Sequence, residues 1–468
     1  MVKNLDPKWA WEPYSPGEKQ PWTKARVGHL YRRLAFGANV AELRQGVATE
    51  PQKLITNLLA GRNPSPTYDA ATEEYLASNA EKFNQDVQAS GWWLYRMLHG
   101  PAPATEKLTL FWHNHFATSN TKVQNVGHMV RQYRLMNRNA LGKFDVMLQE
   151  MSKDPAMMIW LDTVQSKKGM PNENYARELM ELFSLGIGNY TEKDIREAAR
   201  AFTGWELKDG KFAANASQFD DSPKTVMGQT GNFKGEDIVR ICTKQPACAK
   251  FIVKKMFRFL VSESEDISPA LAAPLEKSFA DGFDIRKLVE TIVRSNLFHS
   301  EHAYRTRIKA PVDYVIGMTH ALESRMGTIN GSLNLATALE NLGQNVFHPP
   351  SVKGWDGGPT WLNGQTLLFR QNLALDLARR PAGPDKPALA LALAEAHHCK
   401  SPQDQAALFL DLFLQGDVPV ETRNRINEYA STVTKQKTPR FWSKRDIVEQ
   451  QAVSLCHLVM TLPEYQLD

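Results

Sequence analysis

Apolar residues recur every three or four positions through most of the chain, the period of a helix with one buried face. Residues 23–36 place Val27, Leu30, Leu34 and Ala35 on one stripe. The same spacing predicts helices over 51–59, 71–98, 104–117, 123–138, 172–185 and 192–202. It continues over 247–261, 269–279, 285–295, 311–324 and 332–341, and in the tail over 365–378, 387–395, 403–415, 420–433 and 446–461. Strand alternation is scarce. Only 210–213 and 224–227, either side of a polar stretch, predict a small hairpin. No strand–helix–strand alternation and no fixed-period repeat is present, which argues against Rossmann, barrel and solenoid folds. The expected fold class is mainly α, a large multi-helical domain with at most a small β-hairpin. A Pro/Gly-rich stretch at Arg380–Pro387 predicts a boundary. It divides the chain into a polar N-terminal arm at 1–22, a helical core at 23–380 and a C-terminal helical part at 381–468.

Composition narrows the class further. The 468 residues are 42% hydrophobic and 23% charged, an ordinary globular balance that excludes extended disorder and collagen-like repeats. Lys and Arg number 56 against 51 Asp and Glu, a net charge of +5. Spread over this length, that charge predicts no nucleic-acid partner. Residues 1–28 are polar and rich in Trp and Pro, without the apolar stretch of a signal peptide. No run approaches the 20 or so apolar residues of a membrane span. The expected location is therefore the cytoplasm. The four cysteines, Cys242, Cys248, Cys399 and Cys456, are too few for a disulfide scaffold. Cys242 and Cys248 read as two idle thiols or a short-range disulfide, and His397-His398-Cys399 as a helix end.

Three polar blocks carry candidate chemistry. The first, Pro171–Trp205, reads as a helical hairpin. Asn172 is suited to cap the first helix, Gly186 and Gly188 to end it, and Thr191 with Asp194 to cap the second. Asn174, Glu178 and Glu181 fall at i, i+4 and i+7, on one side of a helix, with Arg177 within reach of Glu173 and Glu181. Two carboxylates beside an arginine suit acid/base work, a cation or a polar substrate; the alternative is a surface of ordinary salt bridges. The second block is Phe111-Trp112-His113-Asn114-His115. On a helix the two histidines diverge by about 200°, so they cannot share one site. His115 falls with the aromatic stripe and His113 faces elsewhere. The third block, Pro349–Trp361, is a Gly/Pro-rich loop carrying Lys353, Trp355, Asp356 and Trp361. Its aromatics suit a sugar ring or planar group, or simply pack the loop down. Asp220–Thr225 reads as a turn entering the hairpin, and the basic cluster from Lys435 to Arg445 as a solvated loop.

These blocks, in this order, resemble a bacterial family catalogued as domain of unknown function 1800. The matching pieces are Leu30–Gly37, Phe111–Ser119, Met158–Asp162, Pro171–Trp205, Asp220–Gly228, Lys309–Val315 and Leu342–Arg370, within a span from Thr23 to Ala378. Where family members often have a His before the Asp-rich turn, this chain has Phe219. The resemblance implies no settled activity. It implies a gene neighbour of a sulfatase-like family, catalogued as domain of unknown function 1501, whose members commonly carry export signals; co-export to the periplasm with such a partner is the alternative location.

Two functions follow as expectations. One is an enzyme of hydrolase or transferase type, acting on a glycan or on a phosphorylated or sulfated compound. Glu178, Glu181 and His113 would be its catalytic residues. Arg177, Asn174, Lys224, Lys353, Trp355 and Trp361 would hold the substrate. No cofactor is predicted, although the carboxylate pair leaves a divalent cation open. The other is a non-catalytic helical partner or escort of the sulfatase-like protein.

Overall fold

Short polar caps and prolines set where the helices start. Thr23 accepts the backbone N–H of Arg26 ahead of the helix Lys24–Leu34. Reciprocal capping boxes open Val40–Val47, Glu192–Ala201, Pro402–Leu414 and Lys444–Met460. Proline occupies the first turn of Pro103–His115, Pro246–Leu260 and Pro311–Ala321, where its missing N–H has no intrahelical partner to lose. A computed structural model describes residues 5–62, 66–324, 329–432 and 443–468. Among them are 24 α-helices and two two-stranded antiparallel sheets, so the protein is mainly α. Of the basic cluster, 435–442 lies outside the described residues, while Lys444 and Arg445 open the helix Lys444–Met460.

Three departures from the periodicity have local causes. The helix expected over 71–98 is broken. Leu76–Glu81 is a π-helical turn, Asn84 has a φ of 51°, and a new helix begins at Asp86. Asn84 tolerates that left-handed conformation, and its side chain pins another corner by accepting Val126 N–H at 2.7 Å. The two expected strand segments do not pair with each other. Trp205–Lys208 pairs with Lys211–Ala214, and Lys224–Val226 with Gln229–Gly231. Asp209-Gly210 and Met227-Gly228 all have positive φ, so each sheet closes through a tight two-residue loop before a longer-range partner can compete. Short helices at Val40–Val47, Phe144–Ser152 and Gly235–Thr243, of eight or nine residues, escape a pattern that needs several turns to show.

One hydrophobic core contains residues from Ala10 to Tyr465. The N-terminal stretch is docked on it: Trp11 Nε1 donates to Leu271 O at 2.9 Å, and Tyr14 N–H to Arg294 O at 2.7 Å. The C-terminal helices share the same core. Lys444–Met460 packs on Gly364–Arg379 and Pro402–Leu414. Beyond them, Lys309 N–H donates to Gln466 O, and Asp468 N–H to Arg307 O, both at 2.8 Å. Cys242 and Cys248 are buried and unbridged. The helix Leu389–Ala396 ends at His397, and His398 takes a φ of 58°. No described helix is long and apolar enough to cross a membrane.

Candidate functional site

The helix Pro103–His115 presents Trp112, His113, Asn114 and His115 in turn, each rotated about 100° from the last. Trp112 Nε1 donates to Ala140 O at 3.1 Å. His113 is fully buried, and its Nε2 accepts the N–H of Phe347 at 3.1 Å. His115 is buried too; its Nε2 faces Phe183 O at 3.1 Å and therefore carries the proton. Burial pushes His113 down to about 3 and His115 well below its ordinary value, so both rings are neutral. The His113 ring packs 5.7 Å from that of Trp355, and Asn114 bonds to the Gly/Pro-rich loop. Its Oδ1 accepts Trp355 N–H at 2.7 Å and its Nδ2 donates to Trp355 O at 3.3 Å. Gly354 has a φ of +82°, and a Cβ there would lie 2.2 Å from Asn114 Oδ1. The loop and the helix thus lock together through a residue that must lack a side chain.

That junction forms one wall of a pocket of about 480 Å³, within the range of small-molecule sites. Trp355 and Trp361, packed with Ala310, stand on the loop side. The facing wall is one side of Pro246–Leu260, where Phe251, Lys254, Lys255, Arg258 and Phe259 recur at helical spacing. Phe111, His115 and Leu182 also line it, and Arg307 and Lys353 add two further cations.

The pocket's charges are unevenly matched. Lys254 and Arg258 share the exposed Asp266 at 3.2 and 3.7 Å. Arg307 pairs with Glu263 at 2.9 Å, and Lys353 with Asp356. The lining carboxylate Asp313 is held by the buried Lys107 at 2.5 Å. Lys255 has no hydrogen bond or ion pair among the described residues; its ammonium lies 5.3 Å from the centre of the Phe251 ring. Burial pushes its pKa down to about 8.

The expected site residues fall into three places. Lys353, Trp355 and Trp361 line the pocket. Asn174, Arg177, Glu178 and Glu181 lie along a neighbouring helix that reaches the pocket only through Leu182. That helix changes from α to π geometry at Leu179–Ser184, which breaks the i, i+4, i+7 alignment. Arg177 pairs with Glu192 at 2.8 Å and Glu173 at 3.2 Å rather than with Glu181. Glu181 instead accepts Tyr190 O–H at 2.5 Å, and Asn174 Nδ2 donates to Asp162 at 3.3 Å. Glu178 has no hydrogen bond or ion pair among the described residues. Burial, then Glu181, raises its carboxyl above the usual range. The third place is the interior. His113, expected to face away from the aromatics and act on a substrate, has its Nε2 occupied by backbone. Lys224, expected to hold a substrate, is fully buried, and its Nζ donates to Asp220 O at 2.5 Å and Ser222 O at 3.0 Å. Among the described residues, no group of three or more His, Cys, Asp or Glu is placed to hold a metal ion.

The model of a family described as a protein of unknown function (DUF1800) matches residues 29–467. The chain belongs to that family. The match runs past Ala378, through the C-terminal helices that share the core. No curated protein and no solved structure matches the chain. In this DUF1800 chain, the blocks that carry the resemblance have two structural duties. Asn114, Gly354 and Trp355 build the pocket wall. Thr203, Gly204 and Lys224 build the support for the Asp-rich turn: Asp220 N–H donates to Thr203 Oγ1 at 2.8 Å, and Gly204, with a φ of +76°, leaves no room for a Cβ against Asn215 O. Phe219 lies under the Lys224 ammonium at 4.8 Å, so the residue standing in the frequent His position packs against a cation.

Lys254, Lys255, Arg258 and Arg307 were not singled out from the sequence. The first three do carry a signal there. They share a helix side with Phe251 and Phe259, large aromatics on the half-buried to exposed side, opposite the buried face of Cys248, Ile252, Val253, Met256 and Leu260. Arg307 carries none, because it follows the last turn before Pro311–Ala321 and is brought in by tertiary packing.

Proposed function

We propose that this pocket binds an anionic, ring-bearing compound such as a phosphate or sulfate ester. The observation that supports the reading is the company of five cations, Lys254, Lys255, Arg258, Arg307 and Lys353, with Trp355, Trp361 and three phenylalanines around one cavity. Guanidinium groups suit the forked oxygens of an ester headgroup, and the indole faces suit the ring that carries it. Among the described residues Lys255 has no carboxylate to neutralise it, so an anion entering here gains an attraction that none of them supplies. The paired carboxylates do not line this pocket, and His113 is closed off. The reading is therefore one of recognition, without acid–base hydrolysis by Glu178, Glu181 and His113. No observation favours the escort role.

Tryptophan fluorescence tests it. Titration with 4-nitrophenyl phosphate or 4-nitrophenyl sulfate should quench Trp355 and Trp361 emission saturably. The neutral 4-nitrophenyl glucoside should bind at least ten-fold more weakly, the ratio expected for losing one charged contact of about 1.4 kcal/mol. Equal affinity for charged and neutral probes would defeat the reading.

A further inference from the structure

Among the described residues, four of the five pocket cations are answered by a carboxylate, and the fifth, Lys255, is not. Lys255 sits at the middle of the cationic face, one residue from Lys254 and three from Arg258. The aromatic Phe251 lies on one side of it, and the neutral His115 comes from the facing helix. The other charged groups around the cavity, Arg307 with Glu263, Lys353 with Asp356, and Asp313 with Lys107, are already engaged with each other. The unprotonated fraction of this amine has an electron pair to offer and no hydrogen-bond or ion-pair partner among the described residues.

We propose that Lys255 forms an imine with the aldehyde or ketone group of an anionic ligand held in this pocket. This rests on the anion-binding reading and adds the class of group that the ligand carries beside its charge. The neutral amine attacks the carbonyl carbon to give a carbinolamine. Loss of water then leaves a C=N bond to Nζ, the carbonyl oxygen departing with both protons of the original amine. No oxidant or reductant is needed, and hydrolysis reverses the step. Arg258, about one helical turn along from Lys255, and the adjacent Lys254 would hold the anionic end, while the tryptophan wall covers the ring. Burial favours the reaction because it keeps a sizeable fraction of Lys255 unprotonated near neutral pH, whereas an exposed lysine is almost wholly protonated there.

The probe is pyridoxal 5′-phosphate, an anionic ring aldehyde, followed by borohydride reduction and peptide mass mapping on the full chain. Label should concentrate on Lys255 at least five-fold over any other lysine, fall when inorganic pyrophosphate competes, and rise with pH to a midpoint near 8. Lys255→Arg removes the primary amine; it should lose the label while its far-ultraviolet circular dichroism stays that of the wild type. Label spread over many lysines, or insensitive to pyrophosphate, overturns the imine. If 4-nitrophenyl phosphate still binds in that case, the anion-binding reading stands alone. If neither probe engages the pocket, both are wrong.

Discussion

Single residues in this protein divide by whether their polar atoms are answered. Lys224 is answered twice by backbone carbonyls, so it acts as a structural pin. Lys224→Met should lower unfolding free energy by about 2 kcal/mol in a urea titration, through the two carbonyls it leaves without a donor. A loss below a few tenths would mean that water takes over both. Glu178 is the opposite case. It is half-buried, has no hydrogen bond or ion pair among the described residues, and is raised in pKa by burial and Glu181, so its charged form is disfavoured in the fold relative to the unfolded chain. Removing that charge relieves a penalty present above the raised pKa and absent below the unfolded one. Glu178→Gln should therefore melt at the same or a higher temperature than the wild type at pH 7, with any gain vanishing on acidification. A clear drop would reveal a partner for Glu178. The sequence showed that these side chains were unusual. It could not show whether each amine or carboxylate would find a partner, because the partners of Lys224 are carbonyls fixed by a turn, and Glu178 has no hydrogen bond or ion pair among the described residues.

At the scale of elements, the sequence was most legible where one helix spoke for itself. The capping box at Thr191 and Asp194 and the positive φ of Gly186 and Gly188 are present as read. Legibility failed where geometry changed within an element. Nothing in Leu179–Ser184 announces a π turn, yet that turn sends Glu181 to Tyr190 and not to Arg177. The junction of the histidine-bearing helix with the tryptophan loop was hidden for another reason: Asn114 and Gly354 are 240 positions apart in sequence. Gly354→Ala tests that junction. The added Cβ meets Asn114 in a backbone conformation that alanine resists, so the loop must move. The variant should lose at least ten-fold in affinity for 4-nitrophenyl phosphate while far-ultraviolet circular dichroism stays unchanged. Undiminished binding would mean that the pocket does not depend on this lock.

For the whole molecule, the burial of neutral histidines sets the response to acid. His29, His113, His115 and His299 are all buried, with His113 and His299 pushed down to about 3 and the other two well below their ordinary value, in each case mainly by burial. In the unfolded chain each titrates near 6.5, so below that pH the unfolded state takes up protons that the folded state refuses. Stability is complete above the unfolded value and is lost as pH falls toward the folded one. At pH 5 His113 and His299 should each have removed about 2 kcal/mol, with His29 and His115 adding in the same direction. Urea midpoints should accordingly drop steeply between pH 7 and 5, and a flat profile would mean that the rings reach solvent. The mainly α class and the family were legible across the chain, because periodicity and long motifs are local properties. The pocket was half legible: its tryptophan wall stands out as a loop, whereas its cationic wall looks like the solvent side of an ordinary amphipathic helix until the fold sets the loop opposite it.

The central claim is that the cationic face and the tryptophan wall act together on one anion. Isothermal titration of 4-nitrophenyl phosphate into the wild type and Arg258→Gln measures this most directly. The account predicts one site per chain, with affinity falling at least ten-fold in the variant and falling in both with added salt. Binding that is absent, or equal in the two proteins, would contradict it.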